Sequence, residues 1–144
     1  MGREHPGLEP DEQLLLRTPA SFRGAATTSI SSTFALGSAR KRLEAYRGWQ
    51  MQADLVGFKT AGPEMVLGLT DRRLVIWKTS FWFSRVADVA GEVPFSKLHD
   101  VATVRHGFVT SAAFAFTDGQ IVEVEAMRGR RLRHLAITLH ELLT

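Results

Sequence analysis

Apolar positions fall in short runs and in two-residue alternation through most of this chain, and switch to spacings of three and four only at its end. Met65-Val66-Leu67-Gly68-Leu69 and Leu74-Val75-Ile76-Trp77 are two apolar runs separated by Thr70-Asp71-Arg72-Arg73. Two such runs joined by so short and polar a connection predict a β-hairpin. Phe81-Trp82-Phe83 come next, then Gly91-Glu92-Val93-Pro94-Phe95, where Pro94 suits a strand end or a sheet edge because it has no N–H to give. Val101 to Arg105 predicts a further short strand.

The clearest hairpin is Ser111 to Ala126, turning at Asp118-Gly119, and its register follows from its side chains. A two-residue loop would pair Phe114 with Glu123 and put a carboxylate on the aromatic face. A three-residue loop, with Gly119 left-handed, pairs Phe116 with Gln120, Phe114 with Val122 and Ala112 with Val124. It gathers Phe114, Phe116, Val122 and Val124 on one face and leaves Glu123 and Glu125 on the other. A one-residue slip exchanges the faces, so the segregated register is the expected one. Beyond it, Leu132, Leu135, Ala136, Leu139, Leu142 and Leu143 recur at helical spacing, with no Gly or Pro from Arg130 onward. That is an amphipathic helix whose stripe must pack on the preceding sheet.

The first half is less regular. Met1 to Pro10, with two prolines and two glycines, predicts a flexible tail, and residues 11–144 a single domain. Gln13 to Thr18 predicts a first strand ended by Pro19. Phe22 to Phe34, rich in Ser and Thr, fits either a second strand or a loop packed by Phe22, Ile30 and Phe34. Ser38 fits a helix N-cap, with Leu43, Tyr46 and Trp49 along one side and Gly48 near the end, so a short inserted helix is expected near residues 38–49. Gly57, Gly62 and Pro63 mark bends. Strands, an inserted helix, more strands and a closing helix do not make the alternating order of a parallel α/β sheet.

Composition narrows the class. The 144 residues are 44% hydrophobic and 23% charged, the profile of one globular domain. Cysteine is absent, which removes disulfides and thiolate metal sites and fits a reducing compartment. The first twenty residues carry Arg3, Glu4, Glu9, Asp11, Glu12 and Arg17 in place of a signal peptide's apolar core. The longest uncharged stretch, Gly24 to Ala39, is sixteen residues and too polar to span a bilayer. A cytoplasmic protein is expected, with a peripheral membrane role open. Net charge is +3, and arginine outnumbers lysine fourteen to four.

The run Val66-Leu67-Gly68-Leu69-Thr70-Asp71-Arg72-Arg73-Leu74-Val75-Ile76-Trp77 resembles the "apolar strand, Thr-Asp-Arg-Arg turn, apolar strand" signature of small bacterial pleckstrin-homology-like (PH-like) proteins. Gly91-Glu92-Val93-Pro94 and Phe116-Thr117-Asp118-Gly119 extend the resemblance, which covers roughly Met65 to Leu143. It implies a mainly β fold: an antiparallel barrel or bent sandwich of about seven strands closed by the C-terminal helix. It also implies a binding or scaffolding module and no enzyme.

In eukaryotic relatives of that fold a basic cluster after the first strand grips inositol phosphates. Here the corresponding region offers only Arg17 and Arg23 around Thr18-Pro19-Ala20-Ser21, a weak grip in water, so specific phosphoinositide binding is not expected.

Two groups of residues are candidate contacts. In Trp77 to Phe83, alternation puts an aromatic on both sides of the segment, so Trp82, flanked by Lys78 and Arg85, is a candidate anchor for a protein partner or a membrane interface. The competing structural reading has Trp77 and Phe81 in the core and Trp82 over a sheet edge. Arg40, Lys41 and Arg42, with Arg47, and the run Arg128, Arg130, Arg131 and Arg133 are candidate contacts to an anionic surface. A solvated helix face is the preferred explanation of the first set. The second set sits at the start of a helix, where positive charge opposes the dipole by a few tenths of a kcal/mol, and that favours a nearby anion or acidic partner.

No cofactor, metal site or catalytic group is expected. The histidines form no i, i+4 pair or His-Glu motif, and there is no nucleophile motif or glycine-rich phosphate loop. Nothing marks an RNA-recognition motif or a helix-turn-helix, so no specific nucleic acid is expected. The expected partner is a protein or a peripheral membrane surface; the alternatives are self-association through an exposed edge or the aromatic segment and, behind it, an enzyme whose site is too dispersed to read from the sequence.

Overall fold

A computed structural model of the chain describes residues 7–23, 38–79 and 86–144. Its elements are β1 (Leu14–Phe22), α1 (Ser38–Leu55), β2 (Glu64–Thr70), β3 (Arg73–Thr79), β4 (Val86–Pro94), a 3-10 turn (Phe95–Lys97), β5 (Leu98–His106), β6 (Val109–Phe116), β7 (Ile121–Met127) and α2 (Arg130–Leu143). The seven strands form one sheet in the order β4-β3-β2-β1-β7-β6-β5, every neighbouring pair antiparallel. The mainly β fold with a closing helix is therefore observed. The closed barrel is not: β4 and β5 are the two edges of an open sheet, which bends in the manner of a sandwich. Among the described residues, strand pairing joins the two halves of the sheet where Ser21 and Phe22 of β1 pair with Glu125 and Val124 of β7.

The main core fills the concave side of this sheet. Leu67, Leu69, Leu74 and Ile76 face Phe114, Val122 and Val124, and Leu132, Leu135, Ala136 and Leu139 of α2 close over them, all buried. Leu142 is exposed and Leu143 partly buried, so the stripe of α2 is used up to its last turn. The β6–β7 register is the expected one: Phe114 pairs with Val122 and Ala112 with Val124, the Phe116 N–H donates to the Gln120 carbonyl at 2.9 Å, and Gly119 takes φ +92°.

The runs of β2 and β3 lack alternation because both of their faces are covered. Beneath lies the core; on the other face Val66, Val75 and Trp77 form a second cluster with Leu8, Leu14 and Val89. A bulge between Leu14 and Leu16 sends Leu14 to this outer cluster and Leu16 to the core. The Thr70–Arg73 turn holds the chain leading into β1 in place. Arg73 donates to both oxygens of Glu12 (Nε at 2.9 Å, Nη2 at 2.8 Å) and to the Gly7 carbonyl at 2.8 Å, and it also pairs with Glu92. The Thr70 hydroxyl donates to Glu12 at 2.7 Å, and Arg72 reaches Asp11 at 2.7 Å. Residues 7–10, the end of the expected tail, thus lie against the sheet, while residues 1–6 are outside the described residues.

Three expectations from the first half need correction. Pro19 does not end the first strand: it pairs with Val66 inside β1. Phe22 N–H points to β2 and Arg23 N–H to β7, so by alternation the nitrogen of Pro19 faces the β7 side, where pairing has already stopped at Ser21. The missing donor breaks no ladder bond. Thr18-Pro19-Ala20-Ser21 is accordingly strand and not a loop, and Arg23 is tied to Glu123 at 2.8 Å.

The inserted helix also runs past Gly48 to Leu55. Tyr46, Trp49 and Ala53 make its inner face, Val56 just beyond its end joins the core, and Leu43, expected on that face, is exposed. Trp49 stacks near Tyr46 (6.1 Å) and edge-on to Phe58 (6.0 Å), and its Nε1 donates to the Glu123 carbonyl at 2.6 Å. These contacts offset the cost of a mid-helix glycine. Of the Phe22–Phe34 expectation, Phe22 is buried, and the part from Gly24 onward lies outside the described residues.

Candidate anion-binding groove

The end of the sheet remote from Asp118-Gly119 carries a concentration of arginine. Gly107 and Phe108 form the turn between β5 and β6, with Gly107 at φ +60° supplying the left-handed step that L side chains resist. His106 pairs with Val109 and Arg105 with Thr110, so Arg105, Thr103 and Thr110 share one face of the hairpin. Val109 pairs in turn with Met127, the last residue of β7.

There the chain turns into α2. Arg128 adopts φ +56°, and its N–H donates to the Phe108 carbonyl at 2.6 Å. Gly129 is buried against Thr110, and the first intrahelical bond runs from Arg133 N–H to the Gly129 carbonyl at 2.8 Å. No side chain caps this helix start and no acidic residue lies in its first turn. The N–H groups of a first turn lack partners inside the helix and favour negative charge.

Together the hairpin and the helix start wall an open groove of about 770 Å³, lined by Thr103, Val104, Arg105, Phe108, Thr110, Arg128, Gly129, Arg130 and Arg133. Its chemistry is one-sided. Among the described residues, no ion pair joins Arg105, Arg128, Arg130 or Arg133 to any carboxylate, although Arg105 Nε donates to the Gly107 carbonyl at 3.2 Å; Arg23, Arg72 and Arg73 are paired, and Arg17, Arg47 and Arg131 are unpaired but do not line the groove. Phe108 stands at the lip, 72% exposed.

No protein-family model matches this chain, and no curated protein matches it. The groove is therefore read from its own geometry.

Of the residues singled out in the sequence, Arg128 and Arg130 line the groove and Arg131 is exposed beside it on α2. Arg40, Lys41 and Arg42 fall in the first turns of α1, where side chains are outside the described residues. Lys78 is exposed near the end of β3, paired with Met65, and the contact expected at Lys78, Trp82 and Arg85 otherwise lies outside the described residues. Trp77 is fully buried, in the outer cluster and not the main core. Arg105 and Phe108 were not singled out. Their signal is the Gly107-Phe108 step between the β-branched Val101–Val104 and Val109–Thr110, which makes a hairpin and returns Arg105 toward the start of α2.

One His–carboxylate pair lies elsewhere. His140 Nδ1 is 2.6 Å from Asp100 Oδ1, tying the last turns of α2 to β5, and this bond holds the Asp100 carboxyl below the usual range. Both side chains face solvent, about half exposed. No group of three or more His, Asp or Glu is placed to hold a metal ion among the described residues, and no described helix is long and apolar enough to cross a membrane.

Proposed function

We propose that this chain is a non-enzymatic, PH-like binding module that holds an anionic partner in the groove between the β5–β6 hairpin and the start of α2. The strand order, the bridging of the two halves of the sheet by β1, which pairs along its length with β2 and briefly with β7, and the closing helix support the PH-like reading. The observation that carries the binding reading is the convergence of Arg105, Arg128, Arg130 and Arg133, from a hairpin and a helix start, on one groove without a carboxylate partner. Uncompensated guanidinium groups repel one another, and an arriving anion relieves that repulsion while accepting hydrogen bonds from them. A rigid scaffold presenting a charged surface, with no nucleophile and base brought together in the groove, suits capture better than catalysis.

Affinity for a soluble polyanion such as dextran sulfate tests this. Replacing Arg128, Arg130 or Arg133 by Ser should weaken binding several-fold each, at about 1 kcal/mol per contact, and reduce its salt dependence. Arg47→Ser, on α1, should leave binding unchanged. Binding indifferent to the three groove substitutions would remove the proposal.

A further inference from the structure

We propose that the anionic partner is a lipid bilayer, with Phe108 inserted among the headgroups while Arg105, Arg128, Arg130 and Arg133 meet the lipid phosphates. This rests on the anion-binding reading of the groove and adds the identity of the partner.

Phe108 lies in the hairpin turn, beyond the last paired row His106–Val109–Met127, and so offers an aromatic ring at that end of the sheet. It is 72% exposed; Val104, which also borders the groove, and Met127 alternate to the face of the sheet opposite Arg105 and are 53% and 61% exposed. The end of the molecule therefore has an apolar tip with aliphatic flanks on one face and cations on the other. The Arg128 N–H is bonded to the Phe108 carbonyl, which keeps the first guanidinium-bearing residue beside the tip.

A bilayer interface matches this order of groups. An aromatic ring sits at headgroup depth, aliphatic side chains enter the acyl boundary, and guanidinium groups stay with the phosphates. A nucleic acid would satisfy the arginines and stack on Phe108, but it has no surface for Val104 and Met127. An acidic protein would need a pocket fitted to a projecting tip, whereas headgroups part around one. Charge complementarity selects an anionic leaflet: each arginine near such a surface contributes enough to change affinity roughly fivefold.

The test is co-sedimentation with vesicles of phosphatidylcholine containing phosphatidylserine, against phosphatidylcholine alone, with dextran sulfate binding measured in parallel. Binding should require phosphatidylserine. Phe108→Ala should lower vesicle affinity roughly tenfold while dextran sulfate affinity stays within a factor of about two, because the ring contributes burial and not charge.

The chain contains no cysteine, so His106→Cys carries a single environment-sensitive fluorophore beside an intact Phe108. Its emission should shift to the blue on anionic vesicles and be quenched by lipids with shallow nitroxide groups. Strong dextran sulfate binding without vesicle binding would overturn the membrane assignment and leave the groove an anion site for a soluble partner. Loss of both would overturn the groove itself. Vesicle binding with an unchanged Phe108→Ala affinity and a silent label at position 106 would overturn the insertion.

Discussion

Gly129 and Thr110 approach so closely that a methyl group on Gly129 would stand 2.6 Å from the Cβ of Thr110. This contact brings the start of α2 onto β6 and sets the width of the groove, since Thr110 lines one wall and Arg130 and Arg133 the other. Glycine is needed here for space.

Gly129→Ala should destabilise the fold by about 1–3 kcal/mol through overpacking against backbone-anchored atoms. Thr110→Gly removes the offending Cβ. In a double-mutant cycle by urea denaturation, the pair should therefore be less damaging than the sum of the single changes. Additive effects would mean that the two residues are not in contact.

Acid should weaken the latch between the N-terminal segment and the Thr70–Arg73 turn. The hydrogen bonds from Arg73 hold the carboxyl of Glu12 down at about 2, against burial, which pushes the other way. A carboxyl depressed in the folded state stabilises the protein fully above its unfolded pKa near 4.5 and loses that contribution as pH falls toward 2. The contribution is on the order of 3 kcal/mol. Glu12→Gln should lower stability at neutral pH by a comparable amount and flatten the pH dependence between those two values, as followed by denaturation midpoints across that range.

Two glycines should respond in opposite directions to the same substitution. A Cβ on Gly68 would lie 2.3 Å from Trp77 Cζ3, so Gly68→Ala should displace the indole from the outer cluster and cost about 1–3 kcal/mol. Near-UV circular dichroism should change with it. Gly48, in α1, has open space around its missing Cβ, so Gly48→Ala should stabilise by about 0.5–1 kcal/mol.

Trp49→Phe keeps a ring between Tyr46 and Phe58 but loses the bond to the Glu123 carbonyl. A cost of about 1–2 kcal/mol is expected, with amide exchange in α1 accelerating before exchange in β6 and β7.

The parts of the fold that were legible in the sequence are those whose determinants are local. Phe114, Phe116, Val122 and Val124 alternate against Glu123 and Glu125 across Asp118-Gly119, and only one register keeps them apart. The leucines of α2 repeat at helical spacing from Leu132 to Leu143. What escaped depends on partners distant in the chain. Thr70-Asp71-Arg72-Arg73 is recognisable as a turn, but nothing local says that Arg73 waits for Glu12, 61 residues away. Gly48 suggests a helix end until Ala53, Val56 and Phe58 are seen in the core.

The candidate site divides in the same way. Arg128, Arg130 and Arg133 stand out as a run whose charge opposes the helix dipole. Arg105 and Phe108 become part of the groove only because the Gly107-Phe108 turn folds β5 beside β6, and a scattered arginine gives no sign of that. The contact expected at Lys78, Trp82 and Arg85 turns on residues 82 and 85, which lie outside the described residues.

The anion groove is most directly tested by following backbone amide resonances of the intact protein during titration with a soluble polyanion. Shifts should concentrate at 103–110 and 128–133, saturating together and reversed by salt. Shifts centred on α1 or on the turn at Asp118-Gly119, with 103–110 and 128–133 unmoved, would contradict it.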